Sequence, residues 1–232
     1  MLPLHDWNLS EAEAVEVQRR LAPRVDTAAP LGAISTLAGC DIAYDTASSA
    51  AWAAVVVLTF PGLVEVERVV VREEVTFPYI PGLLSFRECP PLLSALARLR
   101  SLPDVVMLDA QGIAHPRRFG SACHLGLWLG IPTVGCAKTW LCGEHPEVGP
   151  TAGDHAPLTL DGEPVGAVVR SATNVRPVYV SPGHRADIDS AVKLVTATLG
   201  GFRHPTPTRL AHMAANAARA KDASDRGNGE TG

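Results

Sequence analysis

The chain has 232 residues, 47% of them hydrophobic, which is long enough for one sizeable core and too short for two comfortable ones. Its formal net charge of -4 excludes a generally basic nucleic-acid coat and leaves only focused basic spots, such as Arg117 with Arg118, for phosphate. The longest apolar run, near residues 50–58, falls short of the roughly 20 residues of a membrane helix, and residues 1–8 lack a signal-peptide pattern, so a soluble cytoplasmic protein without a membrane partner is expected.

Taken in chain order, Ser10 followed by Glu13 is a capping-box pattern, and the helix formers after it predict a first helix to about Leu21. Pro23 and Pro30 bracket a connector. Residues 33–42 read as a strand carrying Asp41 between Cys40 and Ile42. An unpaired carboxylate is expensive to bury, so Asp41 either alternates out to solvent or is compensated by a cation or hydrogen bonds. Residues 53–60 and 63–76 are two more β-rich stretches around Pro61 and Gly62, which predicts three consecutive antiparallel strands. After a Pro/Gly turn, Leu92, Leu93, Leu96 and Leu99 recur at helical spacing. Glu88, near the start of that helix, fits an S-x-x-E capping box with Ser85, a purely structural explanation for it.

Residues 105–108 form an apolar run of strand length, and Gly112 and Pro116 interrupt the backbone soon afterwards, so Asp109 is expected at the C-terminal end of a buried strand. Residues 117–129 read as a helix and 131–136 as a strand that delivers Lys138 to the same edge. In an open α/β sheet, loops leaving that edge converge on one crevice. The bland alternative is a solvated acid and lysine at strand ends. A crossover able to set the Asp109 strand beside the Asp41 strand changes the reading: two such aspartates repel unless a divalent cation lies between them, and Glu88 would complete an oxygen-rich site.

Residues 144–164, rich in Pro, Gly, Glu, Asp and His, read as a surface excursion. Residues 165–170 and 178–180 read as two more strands, and a helix follows with Asp187 at its N-terminus. Pro205, Pro207 and Thr208 open a last helix through about Ala218, with Arg209 and His212 near its start. One domain over residues 1–220 is expected, with residues 221–232 as a disordered, dispensable tail, because they offer no large apolar residue to offset the entropy of ordering. The five cysteines are an odd set without C-x-x-C, so neither a disulfide framework nor a zinc site is indicated, and they are expected to be reduced and mostly buried.

Six motifs carry a family resemblance: AGCDIAY around Asp41, PYIPGLLSFRE ending at Glu88, DAQGIAHPRRFGSACHLG beginning at Asp109, VGCAKTWLCG around Lys138, VYVSPGH ending at His184 and PTPTRLAH ending at His212. In that order, over nearly all of residues 9–218, the sequence resembles the endonuclease V (deoxyinosine 3'-endonuclease) family. The resemblance implies an α/β fold with an RNase H-like mixed sheet flanked by helices. It also implies Mg²⁺-dependent cleavage, with Mn²⁺ as a substitute, of DNA at the second phosphodiester on the 3' side of deoxyinosine, in DNA repair. The implied partners are deoxyinosine-containing DNA and inosine-containing RNA, and the chain is expected to act as a monomer.

Position by position, Asp41, Glu88 and Asp109 match the family's catalytic, metal-binding carboxylates, whose hard oxygens suit Mg²⁺ or Mn²⁺. His115 and Lys138 match its other active-site residues, His115 to hold a water or assist proton transfer and Lys138 to supply a compact positive charge. Pro78-Tyr79-Ile80-Pro81 resembles the wedge that holds strands apart while the inosine base enters a pocket. Arg87 and His212 are substrate-binding candidates, and Gly112 and Gly135 are pocket candidates because glycine lets backbone groups approach a base closely. The sequence departs from the family at Ala110, where Gly is usual and a methyl group would tighten the pocket, and at Thr206, where Glu is common. Two other functions stay open: an inosine-specific endoribonuclease, and an inosine-binding module that does not cut, which would have little reason to keep the metal ligands and the lysine.

Overall fold

The computed structural model describes residues 3–229. Ser10 caps α1 (Glu11–Leu21) through the expected reciprocal contacts with Glu13. Three strands follow, β1 (Thr36–Tyr44), β2 (Ala50–Thr59) and β3 (Glu65–Glu74), paired antiparallel in sequence as expected. The chain then crosses through α2 (Leu84–Leu96) to β4 (Val105–Leu108), passes through α3 (Ser121–Leu129) to β5 (Thr133–Ala137), and adds β6 (His155–Leu160), β7 (Glu163–Val169) and β8 (Val178–Pro182). Helices α4 (Ile188–Ala197) and α5 (Thr206–Gly229) close it. The sheet order is β3-β2-β1-β4-β5-β8-β7-β6, with β1, β4 and β5 parallel at its centre. This is the expected mixed sheet flanked by helices, consistent with an RNase H-like description.

Alternation along the central strands sends side chains to two cores. Ala38, Cys40, Val106 and Leu108 pack with Leu92 and Leu96 of α2 and with Leu125 of α3. Leu37, Val105 and Met107 point the other way, into a core shared with Leu194 and Val195 of α4. Ala211, Ala214 and Ala215 of α5 meet Ala43, Val56 and Leu58 of β1 and β2. At Gly39 a Cβ would stand 2.0 Å from the carbonyl oxygen of Pro207, so glycine there is what lets the start of α5 lie directly on β1.

Several expectations need correction. The segment over 144–164 contains β6, hidden because Pro157 sits in it. As the last strand in the sheet order β6 is an edge, where a missing N–H is tolerated. Its turn into β7 is Asp161-Gly162, both at positive φ, a hairpin signal that composition alone obscured. Helix α3 begins at Ser121 instead of 117, after a turn in which Arg118 takes φ 52°. Arg117 and Arg118 are not a phosphate patch: their guanidinium groups donate to Gly82 O and Gln18, and to Leu160 O and Glu163. All five cysteines are free, and four of them are buried. Among the described residues no helix is long and apolar enough to cross a membrane.

The expected tail is helical as far as Gly229, and residues 230–232 lie outside the described residues. Polar contacts fasten it where apolar ones are absent. Asp222 accepts from the indole of Trp52 at 3.0 Å, Arg226 pairs with Asp45 at 3.0 Å, and Arg219 donates to Tyr44 O. Asp222→Ala is expected to cost about 1 kcal/mol, lowering the melting temperature by roughly 2–4 °C. Thermal denaturation of the variant beside the wild type checks it, and an unchanged melting temperature would return the segment to a dispensable tail.

Candidate active site

Strands β1 and β4 run parallel with Cys40 paired to Leu108, so the next residues, Asp41 within β1 and Asp109 just beyond β4, follow at the same level of adjacent strands. Leu108 in turn pairs with Gly135 of β5, and Lys138 follows the end of that strand. Three neighbouring strands therefore deliver two acids and a lysine to one edge, as the apolar runs before them implied. The Asp109 side chain is 3% exposed. Its Oδ2 accepts from Lys138 Nζ at 2.8 Å, and its Oδ1 is buried with no hydrogen-bond partner. Burial opposes the charge on Lys138, but Asp109, with Asp41 and Glu88 behind it, outweighs that and holds the ammonium above its ordinary pKa.

Asp41 is raised above the usual carboxylate range by burial and by the charge of Asp109. Its compensation comes from α5: His212 Nδ1 lies 2.6 Å from Asp41 Oδ2, so the position expected to touch substrate holds an acid instead. A second imidazole, His204, has Nδ1 3.6 Å from Asp109 Oδ2 and stacks on His212 at 5.7 Å between centroids. Sequence reasoning missed His204; its position just before the Pro205 motif was the available signal.

Glu88 reaches the same edge from α2. The capping-box explanation fails, because α2 starts at Leu84 with Leu83 as its N-cap and no side-chain cap, while Ser85 Oγ engages His124 Nδ1. Glu88 Oε2 instead accepts from Ser121 Oγ at 3.1 Å, and desolvation, with Asp41 and Asp109 adding repulsion, pushes its pKa up to about 8. Asp41, Glu88, Asp109 and Lys138 line one cavity of about 420 Å³ together with Tyr79, Ile80, Pro81 and Ala110.

His115 lines this cavity but has no free nitrogen for proton transfer. Nε2 lies 2.9 Å from Gly82 O, and Nδ1 accepts from Arg117 N–H at 3.1 Å. Burial and the neighbouring Arg117 push its pKa down to about 4, so it is a neutral imidazole at pH 7. Gly82 O also accepts from Gln18 and Arg117, and these three side chains brace the turn that follows Tyr79-Ile80-Pro81. Gln18 and Arg117 gave no sequence signal for that task, since the contacts join residues far apart in the chain. Tyr79 itself is 71% exposed.

The remaining candidates lie off the cavity wall. Arg87 donates to Phe77 O at 2.7 Å and covers the ring of Tyr44 at 4.5 Å, so it buttresses the backbone just before Pro78. Gly112 and Gly135 are buried against backbone: a Cβ would meet Pro182 O at 2.0 Å and Ala110 O at 2.5 Å respectively. They let the loop after Asp109 close down on β5 and β8.

The donor set suits a hard dication: clustered carboxylates, a buried Asp109 oxygen without a partner, and two acids raised by burial with mutual repulsion adding to it. Among the described residues no three His, Cys, Asp or Glu side chains are already arranged as a cage. Lys138 and His212 hold the outward oxygens of Asp109 and Asp41.

Comparison with known proteins follows this geometry. The profile of the family described as Endonuclease V matches residues 18–213. An Endonuclease V from Gloeobacter violaceus is 48% identical over 222 residues, covering 94% of this chain and 90% of the relative. The crystal structure of the Endonuclease V from Streptomyces avermitilis superposes with a TM-score of 0.88 at 39% identity, covering 94% of this chain and 96% of that one. A variant of the Ciona intestinalis Endonuclease V, in complex with a 23mer DNA containing an inosine followed by a ribo-adenosine, superposes with a TM-score of 0.81 at 26% identity, covering 92% and 99%.

Proposed function

The chain belongs to the Endonuclease V family, and from that premise we propose that it is a Mg²⁺-dependent endonuclease, with Mn²⁺ as a substitute, that takes an inosine base into the 420 Å³ cavity and cuts the second phosphodiester on its 3' side, in DNA repair. The observation that carries this is the placement of Asp41 and Asp109 immediately after the paired Cys40 and Leu108 of adjacent parallel strands, with one buried Asp109 oxygen unpartnered. The inosine-containing DNA held by the Ciona relative supports the substrate class. Asp41, Asp109 and Glu88 would hold the dication, which when bound supplies Lewis-acid stabilisation of the charge developing on the phosphate and the leaving 3'-oxygen. Lys138 offers a cation at the same edge, and His212 orients Asp41 through its 2.6 Å contact. His115, Gln18 and Arg117 hold the wedge turn rather than move a proton. The reading includes one domain acting as a monomer in the cytoplasm. A module that only binds inosine has no use for three carboxylates whose mutual repulsion must be offset.

The test is cleavage of matched inosine-containing DNA and RNA strands with Mg²⁺, Mn²⁺ or EDTA. Cutting with either metal, silence in EDTA and silence on an adenine control are expected. Cutting that survives EDTA, or that ignores the inosine, would overturn the reading, and the DNA-to-RNA ratio reports the sugar preference.

Tyr79→Ala is expected to weaken binding of inosine duplexes by about tenfold while leaving single-strand cutting at saturation within a factor of about two, because a wedge acts only where strands must be separated. Equal slowing of both substrates at saturation would remove Tyr79 from that task.

A further inference from the structure

An anionic strand drawn to this site must approach three carboxylates with little cationic help. Among the described residues lining the cavity Lys138 is the single Lys or Arg, and it is already paired with Asp109. Arg117 and Arg118 are spent on backbone and side-chain contacts. The net charge of the chain is -4. With no dication bound, affinity inside this cavity must therefore come from something other than charge.

The cavity carries a second open aromatic ring besides Tyr79. Trp140, two residues beyond Lys138, lines it and is 53% exposed. The indole is not loose, because its Nε1–H donates to Gly143 O at 3.0 Å. Gly143 is itself held at φ 87°, where a Cβ would stand 2.6 Å from Thr159 O, so the acceptor is anchored against β6. Among the described residues no aromatic partner covers the ring, unlike Trp7 and Trp128, which stack on each other at 5.2 Å. A fixed, uncovered indole beside a carboxylate cluster is a base-stacking face: every nucleobase offers a π surface, and stacking does not require neutralising phosphates.

We propose that Trp140 stacks on an unpaired nucleobase of the cut strand and thereby positions that strand over Asp41 and Asp109, a role that rests on the nuclease reading above. Trp140 binds and orients, and takes no part in proton or group transfer.

The experiment uses the full chain and a short single-stranded DNA with one deoxyinosine, bound in EDTA and cut in Mg²⁺. In the wild type the strand should quench tryptophan fluorescence, because Trp52 is buried and Trp7 and Trp128 are stacked, leaving Trp140 as the accessible indole. Trp140→Phe should keep affinity within about threefold and lose most of the quenching. Trp140→Ala should bind about tenfold more weakly by anisotropy of a labelled strand. KM should rise by the same factor with kcat within about twofold. The loss should be the same at low and high salt, since stacking releases no counterions. Wild-type-like affinity in Trp140→Ala, an equal loss in Trp140→Phe, a loss that vanishes at high salt, or a fall in kcat at constant KM would each overturn the proposal. A wild-type chain that binds the strand but does not cut it would overturn the nuclease reading instead, leaving the stacking result to stand or fall on the binding data.

Discussion

Asp109→Asn is expected to lower single-turnover cleavage of an inosine strand in Mg²⁺ by at least about 1000-fold, about 4 kcal/mol of transition-state stabilisation, while leaving strand affinity within a few-fold of the wild type. The change is nearly isosteric, but it replaces a carboxylate with an amide, a much poorer ligand for a hard dication. Its Oδ1 has no protein partner to lose, and its Oδ2 partner Lys138 is 45% exposed and can be rehydrated. Removing one negative charge also relieves the repulsion on Asp41 and Glu88, so the melting temperature in EDTA should hold or rise. That combination, lost chemistry with undiminished stability, separates a metal ligand from a residue that merely finishes a strand. Gel-shift affinity, thermal denaturation and cleavage on one preparation decide it. Near-normal cutting would remove Asp109 from metal binding.

Glu88→Gln is expected to abolish cutting and also to remove a pH dependence of stability in metal-free protein. Burial, with Asp41 and Asp109 adding to it, places the folded pKa of Glu88 at about 8, against an ordinary value of 4.5. The folded chain therefore retains a proton that the unfolded chain has already lost. The contribution is fully present below pH 4.5 and is lost progressively as pH rises through about 8, at about 1.4 kcal/mol per unit. Glutamine mimics the protonated acid at every pH. Near pH 4.5 the two proteins should melt alike, whereas at pH 8.5 in EDTA the variant should be more stable by on the order of a few kcal/mol, roughly 10 °C in melting temperature. Saturating Mg²⁺ at pH 8.5 should stabilise the wild type more than the variant, since an ion compensates only an ionised carboxylate. Identical melting curves from pH 5 to 8.5 would show that Glu88 is neither desolvated nor part of the acidic cluster.

Local patterns were enough to place Asp41, Asp109 and Lys138. Each follows or ends a short apolar run, and the strand period with the exposed edge of an α/β sheet determines where such residues stand. The same patterns defined α1 by its cap and predicted three antiparallel strands before α2, and the ordered motifs announced the family. What failed was whatever depended on contacts between distant residues. His115, expected from the resemblance to hold a water or assist proton transfer, has both nitrogens engaged by Gly82 O and the Arg117 N–H. Ser85 and Glu88 had the spacing of a cap, but α2 begins before Ser85, and Ser121 from α3 claims the carboxylate. His204 and His212 reach the aspartates only because Gly39 lets α5 lie on β1. The segment beyond Lys221 has no large apolar residue, yet Trp52 and Asp45 supply it with polar partners more than a hundred residues away. Backbone periodicity and capping are properties of neighbouring residues and are carried by sequence. Hydrogen-bond partners and desolvation are properties of the packed interior, and they decide whether a given histidine or carboxylate acts in chemistry or in support.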